Sequence, residues 1–231
     1  MRIVLLILSV FMVCTVGAQS KTYVGIKGGG QASSAFINHT IFRNNMNTTF
    51  KSGIHSGLLV KHFAKKRDIF LNAGIQFGIN YIQKGWKQKF ITDIPNYSVQ
   101  MNYLEIPVEA IGYFGNKNKF FVTAGLYFET LLNTKKSAEP TETERGGSAV
   151  DFYTYESSRD RKAGYGGRAS AGTFRDFSFG SIHLEGFFTY SISNFIDAGN
   201  LTDETPDISN LWTVGGSIAY LIPFGKLKMT K

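Results

Sequence analysis

The chain has 231 residues, with 25 Lys and Arg against 17 Asp and Glu, a formal net charge of +8, one Cys, 5 Pro, 25 Gly, 20 Phe and 11 Tyr. A single cysteine excludes a disulfide scaffold and a thiolate metal site, while scarce proline with abundant aromatics and glycine favours strands over helices. Beyond the N-terminus no stretch approaches 18 consecutive apolar residues, so no transmembrane helix is encoded.

The first segment is an export signal. Arg2 supplies a positive n-region, Ile3 to Val13 a short apolar run, and Val16-Gly17-Ala18 a small-residue cleavage site before Gln19. The predicted organisation is therefore a cleaved signal peptide over 1–18 and one barrel domain over 19–231. Cys14 lies in the segment to be removed, and Phe11-Met12-Val13 before it lacks the small residues of a lipoprotein signal.

Eight segments then alternate apolar with polar or small residues. They cover 22–32, 51–62, 71–81, 101–113, 119–130, 164–175, 180–192 and 210–222. The third is the clearest. Leu71, Ala73, Ile75, Phe77, Ile79 and Tyr81 share one face, and Asn72, Gly74, Gln76, Gly78 and Asn80 the other. In the fourth, Leu104, Ile106, Val108 and Ala110 oppose Glu105 and Glu109. In the fifth, Phe120, Val122, Ala124, Leu126 and Phe128 oppose Thr123, Gly125, Tyr127 and Glu129. In the seventh, Ile182, Leu184, Phe188, Tyr190 and Ile192 oppose His183, Glu185 and Thr189. In the eighth, Trp212, Val214, Ile218 and Tyr220 oppose Thr213, Gly215 and Ser217. The first and sixth carry glycine on both faces. Such segments match tilted bilayer crossings, which take about 9–11 residues.

The connections alternate in length. Long ones at 33–50, 83–100, 131–163 and 193–209 are separated by short turns at 64–68, 115–118 and 175–176. Short periplasmic turns, long outer loops and an even strand count are the pattern of an outer-membrane barrel. The predicted fold is all-β: an eight-stranded antiparallel up-and-down transmembrane β-barrel. Tyr81, Trp86, Tyr103, Tyr190 and Trp212 fall near the long-loop ends. Tyr113, Phe114, Phe120, Phe121, Tyr220 and Phe224 fall near the short-turn ends. Both sets are expected to form aromatic girdles. The competing fold is a soluble lipocalin-like ligand-binding barrel, or a β-sandwich, with the same period and the apolar face inward. The polar face here is Gly, Ser and Thr with few charges, and the apolar runs exceed ordinary soluble strands; both favour the membrane.

That parity assigns the side chains. Ile75, Phe77, Leu104, Ile106, Val108, Val122, Leu126, Leu184 and Phe188 face lipid. Lys27, Glu105, Glu109, Glu129, Arg168, His183 and Glu185 form a structural polar network in the lumen. By height the charges fall into two expected layers: Lys27 with Glu109 or Glu185 towards the periplasm, and Glu129 with Arg168 towards the outside. Pro107 within a strand removes a ladder donor, so a bulge is expected there.

No catalytic, cofactor or metal site emerges. His183 and Glu185 share a face, and Ser170 points inward on the preceding strand, which would allow a hydrolytic Ser/His/acid set. Narrow lumens are nevertheless filled by such residues, and no Gly-x-Ser-x-Gly elbow occurs. His39, His55, His62 and His183 lack ligand spacing, with His55 and His62 on opposite faces. Gly28-Gly29-Gly30 lacks the Lys-Ser/Thr and helix of a phosphate loop. The basic residues at the short-turn end, among them Lys65, Lys66, Arg67, Lys117, Lys119 and Arg175, suit anionic headgroups or plain solvation. An exported chain has no nucleic-acid partner.

The segment Asn102-Tyr103-Leu104-Glu105-Ile106-Pro107-Val108, followed by a strand with Gly125-Leu126-Tyr127, and the early Tyr23-Val24-Gly25-Ile26-Lys27-Gly28-Gly29-Gly30 resemble the PorT-like outer-membrane β-barrel family of bacteroidete bacteria. The resemblance implies an eight-stranded barrel and, through a founding member, an association with protein secretion. That family's last strand ends near the C-terminus on an aromatic residue; here Phe224 is followed by seven more residues. The expected function is non-enzymatic: an envelope-structural or interaction protein acting through extracellular loops. Its partners would be outer-membrane lipid and envelope or secretion-system proteins. The alternative is an outer-membrane enzyme acting on lipid. A small-molecule pore is disfavoured, because porins need about sixteen strands.

Overall fold

A computed structural model describes residues 20–40, 44–65, 70–89, 97–139, 141, 156, 160–197 and 206–224. The signal segment at 1–18, most of the 131–163 loop beyond β6, and Lys66 and Arg67 of the first short turn lie outside the described residues.

The strands are β1 (Lys21–His39), β2 (Asn44–Asn45), β3 (Thr48–Phe63), β4 (Asn72–Gln88), β5 (Tyr97–Gly115), β6 (Lys119–Lys136), β7 (Ala163–Phe177), β8 (Gly180–Ser191) and β9 (Ile208–Phe224). β2 is a two-residue ladder on β1. The eight long strands each pair antiparallel with the next. β9 then returns to β1 in unbroken register from Thr22–Phe224 to Asn38–Ile208, so the sheet closes and has no long free edge. This is the eight-stranded up-and-down barrel expected from the alternation.

The strands overrun the predicted segments. β4 continues from 81 to Gln88, β5 begins at Tyr97 rather than 101, and β6 continues from 130 to Lys136. Alternating hydrophobicity reports only where the outer face meets apolar solvent. Backbone pairing does not need that contrast, and it continues under outward-facing Gln83, Lys87, Gln100 and Lys135. The long connections are correspondingly shorter than predicted. Pro107 makes no bulge. The β4–β5 register is the same on either side of it, Phe77 with Val108 and Asn80 with Glu105, and the ladder opens locally instead. Shifts in register occur at Phe50/His55 and at Asn102/Tyr103.

The outer wall is apolar. Ile26, Leu58, Ile75, Ile106, Val122, Leu126, Leu184 and Ile218 are exposed on it, whereas Lys27, Lys84, Glu105, Glu109 and Arg168 are buried inside. A water-soluble barrel would have the reverse arrangement. Two aromatic ladders stand on the short-turn rim: Phe70, Phe114 and Phe120, with centroids 5.2 and 5.6 Å apart, and Phe177, Phe179 and Tyr220, at 5.2 and 6.3 Å. Four expected girdle residues point inward instead. Trp86, Tyr103, Tyr113 and Phe121 are all buried in the barrel. Tyr103, Tyr113 and Phe121 share the inward parity of Glu105, Glu109 and Thr123 on their strands, and Trp86 takes the inward parity of β4 once that strand is extended past 81.

Candidate functional site

The lumen is the only enclosed arrangement of ionisable groups among the described residues, and the register explains its layers. At the short-turn end, Tyr23, Leu59, Phe63, Ile111, Tyr113, Phe121, Phe174 and Leu221 close into one apolar cluster. At the long-loop end, Ala35, Ile37, Ile82, Trp86, Tyr97, Val99, Met101, Tyr103 and Leu211 form another. Phe195 and Ile196 fold into it from the β8–β9 connection, with Phe195 on Trp86 at 5.2 Å.

Between these plugs lies a charged belt. Its cations are Lys27, Lys61, Lys84 and Arg168, and its carboxylates Glu105, Glu109, Glu129 and Glu185. It is formally neutral, which is what a low-dielectric interior demands of a stable set of charges. Lys84 Nζ binds Glu129 at 2.6 Å and Glu105 at 3.2 Å, and lies 4.3 Å from the Tyr127 ring centroid. Arg168 reaches three carboxylates: Glu185 at 2.9 Å, Glu109 at 3.5 Å and Glu105 at 3.7 Å. Its guanidinium sits 4.1 Å from the Phe187 centroid. Glu109 also accepts from Gln76 Nε2 (2.5 Å) and Thr123 Oγ1 (2.6 Å). His55 bridges Gln31 (2.6 Å) and Ser217 (2.8 Å).

The expected pair of Glu129 with Arg168 does not form. Arg168 stands opposite Gly125 on β6, while Glu129 stands opposite Gly164. Arg168 is thus four residues nearer the short-turn end, in the middle of the belt. Nor are there two separate layers, since Glu105 links the Lys84 and Arg168 halves into one network. Lys27 does interact electrostatically with Glu185 and Glu109, but it interacts with Arg168 and Glu105 as well, and its Nζ makes no hydrogen bond. Sequence reasoning missed Lys84 and Lys61. Both obey the inward parity of their strands: Asn72, Gln76 and Asn80 lead to Lys84, and Leu59 and Phe63 bracket Lys61. Ending the third segment at Tyr81 hid the first.

The hydrolytic set is not assembled. Ser170 bonds Thr123 at 2.6 Å and Glu185 binds Arg168, so neither partners His183. His183 instead takes Lys61 Nζ at Nδ1 (3.4 Å) and Ser181 at Nε2 (3.0 Å), stacked on Phe174 at 4.6 Å. The polarity is wrong for a nucleophile and its base. A proton donated to Nδ1 leaves the neutral ring's own hydrogen on Nε2, so the ring donates to Ser181 and cannot take its proton. Ser181 is fully buried, whereas a reacting carbonyl must come within about 3.5 Å. Among the described residues no group of three His, Cys, Asp or Glu could hold a metal.

A closed barrel, apolar outside and charged inside, is the arrangement of a transmembrane β-barrel. A family profile for the outer membrane protein beta-barrel domain matches residues 18–197. The chain belongs to that family. Its place is a bacterial outer membrane. None of the characterised protein sequences compared with it matches. Solved structures match in fold at low similarity. One is Ail, the attachment invasion locus protein of Yersinia pestis, seen in complex with the heparin analogue sucrose octasulfate (9% identity, 87% of this chain, 99% of that one, TM-score 0.42). Another is Neisserial surface protein A from Neisseria (9%, 88%, 99%, 0.42). A third is the outer membrane protease OmpT of Escherichia coli (7%, 91%, 100%, 0.43). In this outer-membrane barrel, Ile75, Leu104, Ile106, Val108, Val122, Leu126, Leu184 and Phe188 stand exposed on the outer wall. Phe77 shares that wall, half-buried. Lys27, Glu105, Glu109, Glu129, Arg168, His183 and Glu185 all lie inside it.

Proposed function

We propose that this outer-membrane barrel is a non-conducting, non-enzymatic envelope protein whose contacts with partners run through its extracellular loops. The supporting observation is the doubly plugged lumen. Apolar clusters cover both faces of a neutral ionic belt, so the barrel serves as a rigid mount rather than a channel. The cleaved leader over 1–18, the periplasmic placing of the short turns and lipid contact along the outer wall belong to this reading. So does a link to protein secretion, which rests on the PorT-like residues Leu104, Glu105, Ile106 and Pro107. The partners it implies are outer-membrane lipid and envelope or secretion-system proteins.

Two measurements test it. Purified protein in planar bilayers should give no stepwise conductance, and sustained open steps would refute the sealed lumen. Replacing 137–162 with a short Gly-Ser linker should leave heat-modifiable barrel assembly intact while impairing the envelope or secretion phenotype of a deletion strain. Full complementation by the loopless barrel would move the function into the strands.

A further inference from the structure

The apolar outer wall is interrupted by a groove. Gly216, Gly186 and Ala171 line it, face outward and are successive ladder partners across β9, β8 and β7; Gly30 of β1 pairs with Gly216 and continues the row beyond the lining. Phe120, Leu184 and Ile218 rise beside them on the short-turn side, and the concavity measures about 830 Å³. The fold itself does not require these glycines. None has a left-handed φ. A Cβ at Gly30 would meet nothing within 4 Å, and at Gly186 and Gly216 nothing nearer than a carbonyl oxygen at 3.9 and 3.8 Å. Inward Gly29 and Gly172, by contrast, would collide with neighbouring backbone. Glycine weakens a strand and commonly marks close approach of another group.

The groove ends among cations. Thr173 lines it, and Arg175 is the next outward position on β7. Arg175 is exposed, lies 5.4 Å from the Phe177 centroid and makes no ion pair among the described residues. Lys117 is exposed in the turn beyond Phe114, which also lines the groove. The adjacent acid, Asp176, is already engaged by Lys119 at 2.5 Å. The mouth therefore carries positive charge at the height of the short-turn aromatic ladders, where lipid headgroups lie.

We propose that this groove binds one phospholipid of the periplasmic leaflet, an acyl chain over Gly216, Gly186 and Ala171 and the phosphate at Arg175 and Lys117. The leaflet rests on the topology proposed above. Charge favours a lipid over a second copy. Two barrels meeting here about a two-fold axis along the membrane normal would set these cations against their own copies, whereas a phosphate neutralises them.

The test is native mass spectrometry of the full chain in mild detergent, titrated with dioleoylphosphatidylglycerol, dioleoylphosphatidylethanolamine or dioleoylglycerol. Gly186→Leu with Gly216→Leu fills the floor where a side chain has room. Phosphatidylglycerol affinity should then fall about tenfold or more, as expected for displacing a few buried methylenes. Arg175→Gln should lower it about fivefold, and the phosphate-free diacylglycerol should bind the native chain weakly. Inorganic phosphate should not compete, since the acyl chain supplies much of the affinity. Gly186→Val is the smaller filler should the double variant lose its heat-modifiable mobility. Unchanged phospholipid affinity in the filled barrel overturns the proposal, as does a native dimer that the filling dissociates. An inverted topology leaves lipid binding intact and is read separately by external protease.

Discussion

Lys84 Nζ lies 2.6 Å from Glu129 and 3.2 Å from Glu105, with both side chains of each pair buried. One ammonium thus joins β4, β5 and β6 across the upper half of the lumen. Lys84→Met would leave Glu129 buried without its cation and Glu105 with only Arg168, 3.7 Å away, and should cost about 3–5 kcal/mol in detergent-folded protein. In a double-mutant cycle with Glu129→Gln the coupling should reach about 1–3 kcal/mol. The cycle of Glu129→Gln with Arg168→Met should show a clearly smaller coupling, because those residues make no direct pair. Equal couplings in the two cycles would contradict the geometry.

The outer wall can be tested where it is most apolar. Ile106 and Val122 are 43% and 51% exposed, so an arginine at either would face the hydrocarbon. Each substitution should destabilise the barrel by about 2–4 kcal/mol if it lies near the midplane, measured by denaturant titration in lipid vesicles. Unchanged stability would mean that this wall does not meet lipid.

The two tryptophans report the two faces. Trp86 is fully buried against Phe195 in the upper plug, whereas Trp212 sits on the outer wall, edge-on to Phe50 at 4.8 Å. In vesicles of brominated-acyl lipid, the Trp86→Phe variant, which keeps Trp212, should be strongly quenched. The Trp212→Phe variant should keep most of its emission. The opposite pattern would turn the faces around.

Topology is open to protease on intact cells. Added trypsin should cut between 137 and 162, at Arg145 first, since a long connection rich in Thr, Glu, Ser and Gly offers little apolar side chain to offset the entropy of ordering it. The turn at 64–68 should stay intact. Cleavage there, with 137–162 protected, would place the short turns outside.

The plugs should contribute stability as ordinary cores do. Phe195→Ala, at a position 6% exposed and packed on Trp86, should cost about 3–5 kcal/mol at full strength. It should also open the outer mouth, so that the lumen side of Trp86 becomes accessible to acrylamide. Unaltered quenching would show that the β8–β9 connection does not seal the barrel.

Strand number, parity and closure were legible from the amino-acid order, because a membrane strand must present one apolar and one polar face and the period of two is local. That is why Ile106 and Glu105 were assigned to opposite walls correctly. Partnership within the lumen was not legible. It depends on ladder register, which sets Arg168 opposite Gly125 rather than beside Glu129, and on strand extensions under polar outer faces, which carry Lys84 and Trp86 inward. The groove was hidden for the same reason: Gly216, Gly186 and Ala171 lie apart in sequence and become one floor only through two successive registers. Hydrophobic alternation determined which way each side chain points. The heights at which strands align, decided by hydrogen bonding around the closed sheet, determined what it meets.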